Sequence, residues 1–286
     1  MANQSDINTQ FYANFVADAE FAAYEVSVAR QLTKLFQVPM NSGKVVQVPI
    51  WGQGSAQRIT DESAASARDT TSSQALITLE EHVYYSRVTD MLKNSAYGDV
   101  MAQLAEVSGR AIGESLDTMT FSKFSSFNSD IGSTTTELTT ELIMKAAATL
   151  RALKVAGPLF AVVHPNAAYY MKKTLTQTIP YSAATGISAL SPVGGQVQVS
   201  GIIGSIGGVT VVESPLTALV STGGATAYRC GVFAPTALGI AERGGLRLEQ
   251  LYLPQNRATD MSVVADAGAA VLQATHGVAI TAEGTL

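Results

Sequence analysis

The most constraining feature of this sequence is a 22-residue segment, residues 52–73, in which nearly every side chain is polar or small. It separates two runs in which apolar residues alternate with other residues, 45–50 and 74–85. Alternation of this kind predicts strands, so the two runs form the arms of one hairpin. Hairpin connections usually have about 2–5 residues. The segment therefore predicts an extended loop that is either functional or disordered.

The energetics of ordering this loop favour a protein that assembles. Fixing about 20 residues costs roughly 1–2 kcal/mol each in backbone entropy. At about 25 cal/mol per Å², offsetting this entropy cost needs on the order of 1,000 Å² of apolar burial. Residues 52–73 contain one large aliphatic side chain, Ile59, and no aromatic ring. We expect the loop to be disordered in an isolated monomer. It should become ordered where another chain forms ion pairs with its charged side chains and hydrogen bonds with its backbone groups.

Hydrophobic spacing elsewhere predicts an α+β fold. Apolar residues at helical spacing predict a helix over residues 11–36, a helix of about 30 residues that starts at Asn94 or Ser95, and a helix over 137–154. Gly109 and Gly113 weaken the long helix, so we expect tertiary or intersubunit packing to hold its middle turns. Strands are predicted at 159–163, 209–212, 228–233, 246–253, 262–264 and 271–280, and a helix at 167–175.

Composition favours a subunit of an assembly. Hydrophobic residues make up 47% of the chain and charged residues only 14%, a balance typical of interface-rich proteins that a weakly charged monomer would share. The formal net charge of -5 argues against coating nucleic acid through phosphate neutralisation. Cys230, the lone cysteine, excludes an intrachain disulfide and a cysteine metal cage. We find no signal peptide pattern and no apolar run long enough to span a membrane, so we expect a soluble, unexported protein.

Motifs for chemistry are weak or absent. Gly43-Lys44 lacks the rest of a phosphate loop, and the glycines at 201–208 lack the spacing and the helix of a dinucleotide site. His82, His164 and His276 do not have metal-site spacing, and we interpret them as structural or surface residues. Acid pairs at residues 61–62 and 80–81 leave a soluble hydrolase as a remote alternative. We expect no catalytic residue, no cofactor and no metal.

Five short motifs, taken in order, resemble the major capsid proteins of tailed bacteriophages, whose fold is shared with encapsulins and with the herpesvirus capsid floor. They are AQRITDE at 56–62, YSRVTDMLKNS at 85–95, FAVVHP at 160–165, GSIGGVTVVES at 204–214 and PTA at 235–237. Each motif is weak alone, and their shared order is the specific signal. The resemblance runs almost from end to end.

The resemblance implies a domain organisation. Residues 1–40 form an N-terminal arm, and 41–92 form a long two-stranded extended loop. Residues 93–158 and 242–267 form a peripheral domain with a spine helix. Residues 159–241 and 268–286 form an axial domain with a mixed sheet and flanking helices.

The same resemblance implies partners. Copies of the chain form pentamers and hexamers of an icosahedral shell that encloses double-stranded DNA without sequence-specific contact, in a virion assembled in the bacterial cytoplasm. The resemblance implies a portal and leaves a decoration protein open, and a separate scaffolding protein is expected because only seven residues precede Asn8. Some relatives cross-link a loop lysine to a neighbour, but residues 45–87 contain no lysine, so we expect a non-covalent shell. An encapsulin-like compartment, which holds enzymes in place of DNA, is the alternative.

Candidate intersubunit contacts lie in the arm and the extended loop. The charged loop residues could form bidentate ion pairs across subunits, or they could be solvated charges worth about 0–1 kcal/mol each. The candidates are Phe11, Phe15, Trp51, Arg58, Asp61, Glu62, Arg68 and Asp69.

Overall fold

The computed structural model describes residues 4–52, 54, 56–59, 64, 66–67, 72–95, 100–177, 204–222 and 225–285, with the backbone alone at 4–12, 93–95, 174–177, 222 and 225. The helices are α1 (Gln4–Val26), α2 (Ala29–Leu32), α3 (Asp90–Ser95), α4 (Val100–Ser122), α5 (Thr140–Ala152) and α6 (Pro165–Gln177). The strands are β1 (Lys34–Val38), β2 (Val45–Trp51), β3 (Ser72–Thr78), β4 (Glu80–Thr89), β5 (Ser129–Gly132), β6 (Leu159–Val163), β7 (Ser205–Ile206), β8 (Val209–Glu213), β9 (Leu219–Thr222), β10 (Ala225–Phe233), β11 (Leu238–Leu253), β12 (Ala258–Val271) and β13 (Gly277–Glu283).

A four-stranded sheet in the order β1-β11-β12-β4 carries α1 and α4 on one face. Strand β1 runs parallel to β11, whereas β11, β12 and β4 are antiparallel. The core between helices and sheet contains Phe15 of α1, Ile112 and Leu116 of α4, and Met261 and Val263 of β12. One face of this sheet is therefore buried by the two helices.

Helices α1 and α4 cross unusually closely because small residues line their contact. A Cβ atom added to Gly109 would lie 2.1 Å from the carbonyl oxygen of Ala19, and one added to Gly113 would lie 2.9 Å from that of Ala23. The expectation that packing holds the middle turns of the long helix is thus confirmed, and the packing partner is α1 of the same chain.

A seven-stranded mixed sheet in the order β5-β13-β10-β6-β8-β7, with β9 beside β10, forms the second half of the fold. Its core joins Ile143 and Leu150 of α5 and Met171 of α6 to Val163 and Val232 on the strands. Thr139 caps α5, because its side chain accepts a hydrogen bond from the backbone N–H of Leu142. Helix α5, which the resemblance places with the spine helix, packs against this second sheet.

An aromatic cluster joins the two halves. Phe124 lies 5.4 Å from Phe121, 5.7 Å from Phe127 and 5.5 Å from Phe233, measured between ring centroids. Gly231 lies beside it, and a Cβ atom there would come within 2.9 Å of the Phe124 ring. The last turn of α4 and strand β10 therefore share one core.

The structure corrects the predicted arm helix. The predicted single helix over residues 11–36 is wrong beyond Val26, since α2 and the strand β1 follow α1. Lys34–Val38 pairs with β11 in parallel register, so tertiary pairing overrides the helical spacing of Leu32, Leu35 and Phe36. The strands predicted at 246–253 and 262–264 are parts of longer strands, β11 and β12.

Candidate assembly surface at the extended hairpin

The extended hairpin is built as predicted at its base. β2 and β3 pair antiparallel from Val45 opposite Thr78 to Trp51 opposite Ser72. The loop between them therefore spans residues 52–71. The described residues of this loop adopt no regular secondary structure.

The base of the hairpin is anchored on its own chain. Ile77 and Leu79 are buried in a small core, against which Phe36, Val38 and Leu272 pack. At the root, Nη2 of Arg243 donates hydrogen bonds to the backbone carbonyls of Ser42 and Gly43. The strands of the hairpin therefore have a fixed direction in a single subunit, while the loop beyond Trp51 lacks an apolar anchor of this kind in the part of the chain that is described.

The outer surface of the hairpin carries large apolar side chains that are exposed among polar ones. Trp51 is 66% exposed and Leu76 is 53% exposed. Trp51 lines an open cleft of about 490 Å³, which Leu153 and His276 also line. Exposed aromatic and aliphatic side chains on a projecting ribbon are typical of a surface that meets another protein.

The predicted charged contacts are only partly within the described residues. Arg58 is exposed and makes no ion pair with any described residue. Nearby, Gln57 Oε1 accepts hydrogen bonds from the Ser66 backbone N–H and hydroxyl, at 3.3 and 3.2 Å. Asp61, Glu62, Arg68 and Asp69 lie outside the described residues.

The arm candidates lie on α1. Phe15 is buried to 3% exposure between α1, α4 and the four-stranded sheet of its own chain. Its side chain has almost no surface left for a second subunit, which removes it from the proposed intersubunit set. Phe11 lies in α1, but its side chain is outside the described part of the chain.

A buried carboxylate that sequence reasoning missed ties the arm to the long helix. Asp117 of α4 is fully buried and accepts hydrogen bonds from the Ser27 hydroxyl at 2.7 Å and from the backbone N–H groups of Val28 and Ala29 at 2.8 and 3.1 Å. These donors open α2, so Asp117 acts as a helix cap from another element. Burial raises the pKa of Asp117, and the three hydrogen bonds oppose that rise. The sequence does contain a signal for this contact: Asp117 lies next to Leu116 on the apolar side of a predicted helix, and a buried acid needs a partner.

A second polar contact ties the arm to β11. Arg30 Nε lies 2.6 Å from Glu242 Oε1, with both side chains mostly buried, and its guanidinium covers the Tyr24 ring at 4.2 Å. Glu20 Oε1 accepts a hydrogen bond from the Leu246 backbone N–H at 3.2 Å, where β11 is irregular. The arm is thus held by specific polar contacts as well as by apolar packing.

The residues considered for chemistry have structural roles where the structure describes them. His164 Nδ1 accepts a hydrogen bond from the Asn166 backbone N–H at the start of α6, and its ring stacks on Tyr228. Burial raises the pKa of the Cys230 thiol to about 12, which disfavours the nucleophilic thiolate. Among the described residues no group of His, Cys, Asp and Glu could hold a metal ion, and no helix is long and apolar enough to cross a membrane.

Comparisons in sequence give no match to a known protein family or to a curated protein. Comparisons in structure give full-length matches. The capsid structure of the cyanophage P-SCSP1u is 15% identical, with a TM-score of 0.66 over 91% of this chain and 89% of that one. The structure of Mycobacterium phage Che8 is 17% identical, with a TM-score of 0.63 over 84% and 85%. A virus-like particle from Pyrococcus furiosus is 12% identical, with a TM-score of 0.58 over 94% and 99%. The chain therefore has the α+β fold of phage capsid proteins.

Proposed function

We propose that this chain is the major capsid protein of a tailed bacteriophage, which assembles as pentamers and hexamers into an icosahedral shell around double-stranded DNA. The observation that carries the proposal is the near-full-length fold match, which covers 91% and 84% of this chain in two phage structures and is therefore far larger than one common supersecondary motif. The exposed hairpin and its polar loop supply the independent physical reason for partners, because one chain leaves Trp51, Leu76 and the described residues of the loop exposed.

The proposed roles use the domain bounds that the resemblance implies, which differ from the two sheets in places: β5 and α5, within 93–158, pack with the second sheet, and β4, within 41–92, is part of the four-stranded sheet. The axial domains, residues 159–241 and 268–286 of each copy, pack against one another around the local symmetry axis of a pentamer or hexamer. The peripheral domain, 93–158 and 242–267, forms the capsomer rim around α4. The extended loop, 41–92, reaches over a neighbour, where burial of Trp51 would contribute about 1.5–3 kcal/mol. The arm, 1–40, braces the peripheral region.

The proposed role is structural and not enzymatic. This proposal is supported by two residues with reactive side chains. His164 accepts a hydrogen bond at the start of α6, and Cys230 is buried in the core. The proposed location is the virion. The proposed partners are a scaffolding protein, a portal and a decoration protein, together with packaged DNA held without sequence-specific contact, in keeping with a net charge of -5.

An encapsulin-like compartment is the second candidate, because the virus-like particle from Pyrococcus furiosus, whose chain is covered to 99%, has the same fold; the two phage structures match with higher TM-scores, 0.66 and 0.63 against 0.58. The two candidates differ in their contents. We expect purified particles to protect DNA from added nuclease, and particles that contain protein but no nucleic acid would favour the compartment.

The role of the hairpin is tested with Arg58→Ala and Trp51→Ala, with Glu62→Ala as a third variant. We expect each to lower the particle fraction in sedimentation velocity while urea unfolding of the subunit stays unchanged, because the exposed side chains of Trp51 and Arg58 add little to the monomer and Glu62 lies in the same polar loop. Lys145→Ala removes an exposed charge from α5 and serves as the control. Wild-type particle yield in all variants would remove the hairpin from the interface.

A further inference from the structure

One edge of the four-stranded sheet is open. β4 (Glu80–Thr89) pairs with β12 on one side, and no described strand pairs with its other side. The strand is 10 residues long and contains neither glycine nor proline. At the opposite edge, β1 has five residues and is followed by Pro39, so it offers less to pair with. A long unpaired edge of this kind is a template for a strand from another chain.

We propose that two copies of this chain join antiparallel through the free edges of β4, about a two-fold axis at Tyr84. This register sets Glu81 opposite Arg87, His82 opposite Ser86 and Val83 opposite Tyr85 of the other copy, and each pair occurs twice. The strand is thus complementary to itself, as a two-fold interface requires. The proposal goes beyond the shell function, because the fold does not specify how neighbouring sheets meet.

Charge supports this register. Glu81 lies directly opposite Asp266 on β12, and like charges in that position are unfavourable. Asp266 is already paired with Arg247 at 3.1 Å, and Glu81 has no ion pair within the described part of the chain. Lys44 and Arg243 line the same cavity as Glu81, but neither forms an ion pair with it, so an arginine from a second copy would give Glu81 its first direct ion pair among the described residues.

Arg87 can serve both copies. Its Nε lies 2.6 Å from Asp260 Oδ1 and its Nη2 lies 2.9 Å from Asp260 Oδ2, while Nη2 also reaches the Tyr85 hydroxyl. These bonds orient the guanidinium on the open face of the sheet and leave Nη1 for Glu81 of the second copy. Because Arg87 is held before pairing, little side-chain freedom is lost on association.

The middle of the edge is apolar. Val83 and Tyr85 are 54% and 56% exposed on the open face, and aromatic and β-branched side chains opposite each other stabilise antiparallel pairs. His82 lies on the helix-covered face, where Nδ1 lies 2.8 Å from the Ser115 hydroxyl while Nε2 has no partner among the described residues. The proposed register brings Ser86 of the second copy to His82.

The covering helices permit this pairing. α4 contacts both β12 and β4, and α1 contacts α4 and β11 on the side away from the free edge. Strands are about 4.8 Å apart, so the two α4 helices would lie about 10 Å apart, a normal packing distance. From helical geometry, the side of α4 opposite Gly109 presents Val107, Ala111, Glu114 and Thr118. Glu114 is the one charged residue among these four, and Val107 is 51% exposed.

Cysteine cross-linking tests the register. We expect the double variant Val83→Cys/Tyr85→Cys to form, under mild oxidation, a disulfide dimer of about twice the 29.9 kDa chain mass, and reductant should reverse it. Each single variant should give at least roughly tenfold less dimer, because its own copies lie diagonally, about 7–8 Å apart. Leu251→Cys, which is also exposed on the sheet, is the matched control. Cys230 is fully buried and should not contribute.

The outcomes separate this proposal from the shell function. Wild-type-like particles without a dimer band in the double variant would overturn the β4 pairing and leave the shell function standing. Equal bands in the single and double variants, or a cross-linked product of another mass, would overturn it as well. Absence of particles in the wild-type protein would count against the shell function, whatever the dimer band. Glu81→Arg should lower the dimer yield of the double variant at low salt by roughly tenfold, because it places like charges opposite each other.

Discussion

Replacing Asp117 with alanine should detach the arm from the long helix. The carboxylate is fully buried and holds the Ser27 hydroxyl and the backbone N–H groups of Val28 and Ala29. Without it, two N–H groups at the start of α2 lose their acceptor, at about 1–3 kcal/mol each. Relief from burying a carboxylate offsets part of this cost, since burial raises the pKa of Asp117. We expect a net loss of about 2–4 kcal/mol in the free energy of unfolding.

Urea unfolding of the unassembled subunit measures this loss. With a slope of about 3 kcal/mol per molar, the midpoint should fall by about 1 M. Ser27→Ala is the control, because the carboxylate keeps both backbone partners, and its effect should stay within about 1 kcal/mol. Limited proteolysis should cut Asp117→Ala near residues 27–33. A free energy of unfolding within about 0.5 kcal/mol of wild type would refute the capping role.

Three further predictions concern single positions. Gly109→Ala should lower the melting temperature more than Gly113→Ala, because the added Cβ would lie 2.1 Å from a carbonyl oxygen of α1 at Gly109 and 2.9 Å at Gly113. Gly43→Ala is the control, because Gly43 has open space around it, and it should leave the melting temperature unchanged. Burial lowers the pKa of His164 below its usual 6.5, so its contribution to the free energy of unfolding should be complete above about pH 6.5 and should fall at lower pH, where the unfolded chain takes up the proton. His164→Asn keeps an oxygen that can cap α6 and should reduce this dependence on pH. Urea unfolding above and below about pH 6.5 measures it. Arg243→Gln should release the hairpin root, seen as faster protease cleavage between residues 45 and 78 with little change in global stability. Equal melting temperatures for the two helix glycine variants would contradict the close contact of α1 and α4. An unchanged pH dependence in His164→Asn would contradict the burial of the neutral imidazole, and cleavage at the wild-type rate in Arg243→Gln would contradict its role at the hairpin root.

The sequence predicted the hairpin well because alternation is a local signal. Val45–Trp51 and Ser72–Thr78 follow the predicted runs, and the polar segment lies between them. The break between β3 and β4 was not predicted. It occurs at Leu79, whose backbone N–H donates to the Lys44 carbonyl at 2.9 Å, so the chain turns where the hairpin meets the body.

The end of the arm helix could not be predicted locally. Leu32, Leu35 and Phe36 fit a continuing helix, and the contacts that stop it come from distant parts of the chain. Asp117 caps α2 from about 90 residues away in sequence, and β11 pairs with Lys34–Val38. Such contacts leave no periodic trace in the segment that they reshape.

The long strands were underestimated because their residues are poor strand formers. β12 contains Ala265, Ala267, Gly268 and Ala269, which have low strand propensity. Gly268 is required by packing, since a Cβ atom there would lie 2.1 Å from the Thr78 carbonyl oxygen of the hairpin. Close approach of the hairpin to the sheet thus selects small residues that weaken the sequence signal. The loop charges, of which Arg58 alone is described, stay a prediction.

Electron microscopy of the purified protein at high concentration tests the shell-forming role most directly. We expect curved or closed particles whose units have local five- and six-fold symmetry, with the hairpin of each copy extended over a neighbouring copy. A uniform population of single 29.9 kDa chains at every concentration and salt condition would contradict it.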